Sequence, residues 1–455
     1  MRLLAPTVYD CAVWPKMVRR SAVVIRECHF YIANSLVGST MRAFKSSKGD
    51  HGLARAAGNV RGIFCNHGRQ QAVGSEVKLT TGGFSEAGHN FAFPEKPSAG
   101  GCTLHTIVAD RKSSVEPGTE QNTTILPVYD PEFLKLLYRR MVAIRLFEEK
   151  AGELFLAGEL PGFVHLYVGE EAIAVGVCAN LTATDYITST HRGHGHCIAK
   201  GAQIERMMAE IFGKRTGYCK GKGGSMHIAD FSIGMLGANG VVGGGLNLAV
   251  GAALAAKMRG SGQVAVCFFG DGASNRGTFH EALNMAAVWK LPVVFVCENN
   301  QWASTTPYRT ATAVRDVADR AASYGIPGVI TDGNDVFEVY ETAKKSVGAA
   351  RDGHGPTLIE AKTYRIKGHF VGDPELYRTK AEVQEQFEKN DPLKNFMKKV
   401  TANAWLCPEE LEAIKAEMGG VIQQAVETAR KTPYPGAYEL EADLYVEGEV
   451  SDAGN

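Results

Sequence analysis

The chain has 455 residues, with 49 Lys and Arg balanced by 49 Asp and Glu, and a pI near 7.2. That balance excludes bulk electrostatic binding to nucleic acid or to an acidic membrane surface, and no apolar stretch reaches the length of a membrane span. The 10 cysteines show neither CxxC pairing nor even spacing, which argues against a disulfide framework or a cysteine zinc site.

The length accommodates one large α/β domain with additions, or two or three domains. Residues 1–120 lack sustained helical or strand periodicity and are rich in Gly, Ser and Arg. Up to Arg69, basic residues such as Lys16, Arg19, Arg20 and Arg42 outnumber Asp10, Glu27 and Asp50. A basic, acidic-poor N-terminus is the composition of an organelle transit peptide, which would send the chain to the mitochondrial matrix. A disordered extension or a wrongly chosen start fits equally well, and the chain would then be cytoplasmic. No site residue is assigned there.

From Tyr129 the pattern becomes globular. Asp130-Pro131-Glu132 reads as an N-cap followed by proline at the first helical position, and predicts a helix to about residue 156. A second helix is expected over 162–177, then a short strand over 185–190 that delivers His191-Arg192-Gly193-His194-Gly195-His196. Another helix is expected over 204–212. The glycine-rich stretch 217–227 reads as a loop. Gly240 to Gly245 lead into an Ala-rich, almost wholly apolar helix to residue 258, whose lack of a polar face predicts burial.

The centre of the chain is a βαβ unit. Apolar runs at 263–269 and 292–297 flank a helical pattern at 279–289. Two strands joined by one crossover helix run parallel, so their C-terminal ends share one edge of the sheet. Gly270-Asp271-Gly272 follows the first strand and Asn299-Asn300 follows the second. Ligands of open α/β sheets bind at that edge. A carboxylate and an amide oxygen delivered there suit a hard ion such as Mg²⁺, which keeps substrate phosphate among its ligands. Glycines beside Asp271 let the backbone approach a phosphate. A lone Gly-Asp-Gly is an ordinary turn; the pair with Asn300 is specific. Strands are expected at 328–331 and 357–366 around a helix at 335–349. Beyond residue 377 the chain reads as helical and charged, with an extended piece at 438–446.

Together, His165-Leu166-Tyr167-Val168-Gly169-Glu170-Glu171-Ala172, Lys220-Gly221-Lys222-Gly223-Gly224-Ser225-Met226-His227, Gly240-Val241-Val242-Gly243, the paired metal motif, and Gly368-His369 with Asp373-Pro374 and Tyr377-Arg378-Thr379 carry a resemblance. The segment 129–446 resembles the alpha subunit of the thiamine-diphosphate-dependent E1 component of 2-oxo acid dehydrogenase complexes. The resemblance implies an α/β fold, a parallel sheet with helices on both faces. It divides the chain into an extension (1–120), a thiamine diphosphate-binding domain (128–390) and a helical tail (391–455). It implies that Asp271, Asn300 and the carbonyl of Trp302 hold Mg²⁺. The Gly270-Asp271-Gly272-Ala273 turn and Arg192 would contact the diphosphate beside His191, and Gly240 and Val242 the aminopyrimidine. His165 and His369 would line the reaction centre. Read without the family, each histidine is an ordinary hydrogen-bonding residue, and Arg192 among histidines an ordinary turn.

The resemblance also implies partners. The glutamate that activates the cofactor belongs to a separate beta subunit in an α2β2 heterotetramer, and the acyl group leaves on the lipoyl domain of an E2. The implied reaction forms hydroxyethyl-thiamine from pyruvate and passes acetyl to the lipoyl group. Acetoin and branched-chain 2-oxo acids are the alternative substrates. The segments around His191, Gly237 and His369 look closer to acetoin dehydrogenase alpha subunits. Phe370 stands where mitochondrial pyruvate dehydrogenases carry a regulatory serine. A single-chain transketolase-like enzyme would need the glutamate-bearing domain in the same chain, and an inactive paralogue would not need the intact Asp271, Asn300, His165 and His369 set.

Overall fold

The computed structural model describes residues 129–439 and 442–443, and the expectations for residues 1–120 lie outside them. Five parallel strands form one sheet in the order β1-β2-β3-β7-β6: β1 (Tyr186–Thr188), β2 (Ala265–Gly270), β3 (Val293–Asn299), β6 (Gly328–Asp332) and β7 (Thr357–Lys362). β4 (Trp302–Ala303) and β5 (Thr306–Pro307) make a small antiparallel hairpin just beyond β3. β2 and β3 pair in register from Ala265 opposite Val293 to Gly270 opposite Glu298, as the βαβ reading requires.

Both faces of the sheet are covered, and the strand sequences show why. Along 264–269, Val264, Val266 and Phe268 point into one core, and Ala265, Cys267 and Phe269 into the other. A strand that is apolar at every position has no face to give to water. The first core holds residues of α1 (Pro131–Leu156), α2 (Glu171–Cys178) and α8 (Val336–Arg351). The second holds residues of α5 (Gly244–Arg259), α6 (Gly277–Val288) and the 3-10 segment Val317–Tyr324.

The helix starts follow local chemistry. Asp130 caps α1 by accepting from the backbone of Glu132 at 2.7 Å, and Asp335 caps α8 in the same manner from Phe337 at 2.9 Å. The remaining helices are α3 (Gly193–Lys200), α4 (Ile204–Ile211), α7 (Tyr308–Ala311), α9 (Lys380–Asn390), α10 (Pro392–Ala402) and α11 (Pro408–Lys431). Phe396, Val400, Ile414 and Val426 of α10 and α11 enter the core that contains α1. Buried Arg145 of α1 fastens this C-terminal region by pairing with Glu171 at 2.6 Å and Asp391 at 3.0 Å.

Several local expectations need correction. Residues 162–170 are not helical; the helix begins only at Glu171, because Gly162 and Gly169 adopt φ of 79° and 98° and turn the chain. The segment 193–200 is a helix that composition did not predict. The regular part of β7 stops at Lys362, although Thr363 and Arg365 still donate to the carbonyls of Asn299 and Asn300 at 3.0 and 3.1 Å. Tyr438 lies in a 3-10 turn, Ala437–Glu439, rather than in an extended piece. Finally, α5 is not buried all round: Leu246, Ala249, Val250 and Ala253 face the core, while Leu248 and Met258 are 53% and 79% exposed.

Candidate active site

Parallel strands that share a direction present all their C-terminal ends at one edge, and four neighbouring strands supply the site there. His191 and Arg192 follow β1, Asp271 to Ala273 follow β2, Asn300 follows β3, and His369 lies on the segment after β7. These residues line a cavity of about 280 Å³ together with Ser189, Thr190, Val242, Gly270 and Trp302. Gly240 is not in that lining; a Cβ placed on it would stand 3.5 Å from the His227 ring. His165 reaches the cavity's rim through its neighbours, with its ring 4.8 Å from that of His191 and 5.1 Å from that of His369.

Asp271 is 2% exposed, and burial pushes its carboxyl up to about 6 despite the backbone N–H groups of its turn and the Arg365 charge. A buried carboxylate in that state gains most from a cation. Asn300 lines the same cavity, and its amide nitrogen donates to Glu170 Oε1 at 3.0 Å while its oxygen accepts from Trp302 N at 3.3 Å. The Trp302 carbonyl accepts a long 3.3 Å bond from Arg365, which leaves a second lone pair free. Three oxygens from a carboxylate, an amide and a carbonyl therefore fit a hard divalent ion. At Gly272 a Cβ would come within 2.6 Å of Ala303 Cβ, so only glycine lets the turn lie this close to the hairpin.

Arg192 is buried, and its guanidinium spans Leu166 O at 2.7 Å and His369 O at 2.9 Å. Desolvation lowers it to about 10, and it remains a cation at neutral pH. The three histidines are held neutral. Burial, then Arg192, brings His165 to about 3; the same two causes bring His369 to about 4 and push His191 well below its ordinary value. His165 Nδ1 and His191 Nε2 are buried without a hydrogen-bond partner among the described residues.

Sequence reasoning did not single out two buried groups that shape this site. Glu170 is fully enclosed, and desolvation followed by the nearby Glu298 raises it to about 8. Arg365 is the largest fully buried side chain among the described residues and bonds to Ser304 O at 2.8 Å and Tyr377 Oη at 2.6 Å. Nothing local marked it, because Arg365 stands among Lys362, Thr363 and Lys367 in sequence. Tyr377 in turn donates to Asp373 at 2.6 Å, and Asp373 accepts from His369 N at 2.8 Å. The loop bearing His369 is thus tied to the hairpin beside Asn300.

Comparison with known proteins decides the family. The model of the dehydrogenase E1 component matches residues 139–438. The chain belongs to the dehydrogenase E1 component family. It is 56% identical over 314 residues to the alpha subunit of acetoin:2,6-dichlorophenolindophenol oxidoreductase from Bacillus subtilis, covering 68% of this chain and 92% of that one. The corresponding subunit from Cupriavidus necator is 52% identical over 326 residues, 72% of this chain and 98% of that one. The pyruvate dehydrogenase E1 alpha subunit of Rhizobium meliloti is 40% identical over 339 residues, 74% of this chain and 97% of that one. E1 components of this kind depend on thiamine diphosphate, and their alpha subunits work with a beta subunit. No helix among the described residues is long and apolar enough to cross a membrane.

Proposed function

We propose that this E1 alpha subunit binds thiamine diphosphate through Mg²⁺ held by Asp271, Asn300 and the Trp302 carbonyl, and that its substrate is acetoin, with pyruvate as the second reading. The site reading rests on three oxygen donors and a glycine turn brought to one cavity by neighbouring strands. When bound, the cofactor supplies the carbanion chemistry that breaks a C–C bond beside a carbonyl. Arg192 would meet the diphosphate, the turn from Gly270 to Ala273 would offer backbone N–H groups, and Val242 an apolar contact, all of them lining the one cavity. His191 stands beside Arg192, and Gly240 is kept as a backbone contact only through the adjoining Val241-Val242 segment. His165 and His369 would line the reaction centre as neutral imidazoles, each able to donate one proton and accept one hydrogen bond.

The substrate proposal is carried by one observation: identity of 56% and 52% to acetoin-oxidising alpha subunits against 40% to a pyruvate dehydrogenase subunit. A local feature is consistent with it. Phe163 and Phe370 pack edge to face at 6.0 Å, and Phe370 lies 6.4 Å from the rings of both His165 and His369, so the two histidines have an apolar neighbour. Pyruvate and acetoin would yield the same acetyl group on a lipoyl arm of an E2. Branched-chain 2-oxo acids are not favoured by either observation.

The beta subunit is the partner for the exposed apolar residues Leu248 and Met258 of α5 and Val288 and Trp289 at the end of α6, in an α2β2 assembly. If residues 1–120 are a transit peptide the chain works in the mitochondrial matrix, and otherwise in the cytoplasm; N-terminal sequencing of the mature chain separates the two. Co-expression with the beta subunit and parallel assay with acetoin and pyruvate test the main proposal. A higher kcat/KM for acetoin supports it; preference for pyruvate replaces it with the second reading.

A further inference from the structure

Beside the oxygen-lined cavity, the three imidazoles of His165, His191 and His369 form a group of a different chemical kind. One ring nitrogen from each lies within 4.8 Å of the other two. Their ring centroids are 4.8, 5.1 and 5.3 Å apart. Three imidazoles bonded at 2.0–2.1 Å to one tetrahedral metal place their centroids about 5 Å apart, so the rings already stand at the spacing of such a centre. Bringing the three nitrogens to bonding distance takes movements of less than about 1 Å each. We propose that His165, His191 and His369 form a second metal site, one that takes a borderline transition ion such as Zn²⁺ or Co²⁺ and, when filled, blocks the reaction centre.

Three observations point to a ligand here. His165 is 8% exposed, and its Nδ1 has no hydrogen-bond partner among the described residues; the same holds for the buried Nε2 of His191. Buried polar atoms are nearly always satisfied, so two orphans on neighbouring rings mark a place where something binds. The histidines are neutral at physiological pH, so each has a lone pair to give. The donor set also separates the two sites: imidazole suits Zn, Cu, Ni and Co, whereas Mg²⁺ prefers the oxygens of Asp271 and Asn300. Three histidines leave a fourth position open to water or to a substrate oxygen, which is the layout of an accessible rather than a closed centre.

One neighbour opposes the ion. Arg192 Nη2 lies 3.4 Å from His369 Nδ1, and the set contains no carboxylate to offset a dication. The bound ion therefore uses the Nε2 side of His369, and its affinity is modest, that of a reversible inhibitor rather than a resident cofactor. The metal site rests on the histidine geometry alone; its inhibitory effect rests on the proposed E1 reaction, because those imidazoles then face the substrate.

The test is a titration of the full chain, co-purified with its beta subunit in excess Mg²⁺ and thiamine diphosphate, with Co²⁺ as a spectroscopic probe. The expected result is a saturable visible absorption of tetrahedral intensity. His165→Gln and His369→Gln should each weaken it by at least about 10–100-fold, the loss that even outer partners of a metal ligand carry. Asp271→Asn should leave it unchanged. Anomalous scattering from Co²⁺-soaked crystals should place one peak between the three rings, and that measurement does not depend on how well a variant folds. No such absorption, no peak there, or equal affinity in both histidine variants would overturn the site. If Co²⁺ binds there yet turnover is not inhibited competitively with substrate, the blocking role is overturned while the site stands. A complex without any E1 turnover would defeat the functional reading and leave the spectrum to decide the metal site.

Discussion

The amide nitrogen of Asn300 donates to Glu170 Oε1 at 3.0 Å, and this bond fixes which atom of Asn300 faces the cavity. With the nitrogen committed to a buried acceptor, the oxygen, which accepts only a long 3.3 Å bond from Trp302 N, keeps a lone pair for a cation. If Asn300 holds the ion as proposed, Glu170 orients a metal ligand, a role whose loss typically costs about 10–100-fold in metal affinity. Glu170→Leu is expected to weaken Mg²⁺-dependent cofactor binding by about that factor. Glu170→Gln keeps an acceptor oxygen and should restore most of it. Calorimetric titration of both variants separates orientation from simple packing, since only orientation predicts rescue by glutamine.

His369→Ala should slow acyl transfer to a lipoyl domain while cofactor binding stays near normal. General acid–base groups contribute about 10²–10⁴-fold, and the lower end is expected because the imidazole is held down to about 4, which makes it a weak base. Single-turnover C–C cleavage measured beside reductive acylation checks this. Loss of cofactor affinity with both rates intact would assign His369 to loop ordering.

Asp185 links β1 to its surroundings: it accepts from Val264 N and Thr182 N, both at 2.8 Å, and pairs with Arg351 at 2.8 Å. Burial acts to raise its carboxyl, but Arg351 and these donors together hold it below the usual range. A depressed folded-state value contributes stability above the unfolded value of about 3.9, and that contribution is lost as pH falls through the folded value. Asp185→Asn should therefore cost on the order of 3 kcal/mol at neutral pH, with the gap to wild type closing in acid below that unfolded value. Denaturant melts across pH test it; a gap that does not shrink in acid would rule out the charge as the cause.

Leu248→Lys on the open face of α5 should impair pairing with the beta subunit while leaving the chain folded, because Leu248 is 53% exposed and outside both cores. Size-exclusion of the co-expressed pair reads the association, and circular dichroism reads the fold. An intact complex would place the partner elsewhere.

The central βαβ unit and its neighbours were legible because their signals are local. Apolar runs, an Asp-Pro cap and a Gly-Asp-Gly turn state their structures within a few residues. The helix at Gly193–Lys200 was not legible, because two glycines in Gly193-His194-Gly195-His196 argue against helix on propensity. Its reason is tertiary: a Cβ at Gly195 would strike Tyr167 Cδ1 at 2.2 Å, and one at Gly193 would strike Ala238 Cβ at 2.4 Å. The apolar circumference of α5 was read as burial within one chain, whereas one side packs on the sheet and the other is open. Periodicity cannot tell a core face from a partner face. At the site, Asp271 and Asn300 were visible through their strands, but the roles of Glu170 and Arg365 depend on segments far apart in sequence, such as Glu170 against Asn300.

The most direct test of the account is thiamine diphosphate binding to the chain co-purified with its beta subunit, followed by Trp fluorescence with and without Mg²⁺, since Trp302 lines the cavity. Asp271→Ala and Asn300→Ala are compared with wild type. Mg²⁺-dependent quenching is expected in wild type, with its abolition in Asp271→Ala and a weaker response in Asn300→Ala. Undiminished Mg²⁺-dependent affinity in Asp271→Ala would contradict it and move the cofactor site elsewhere.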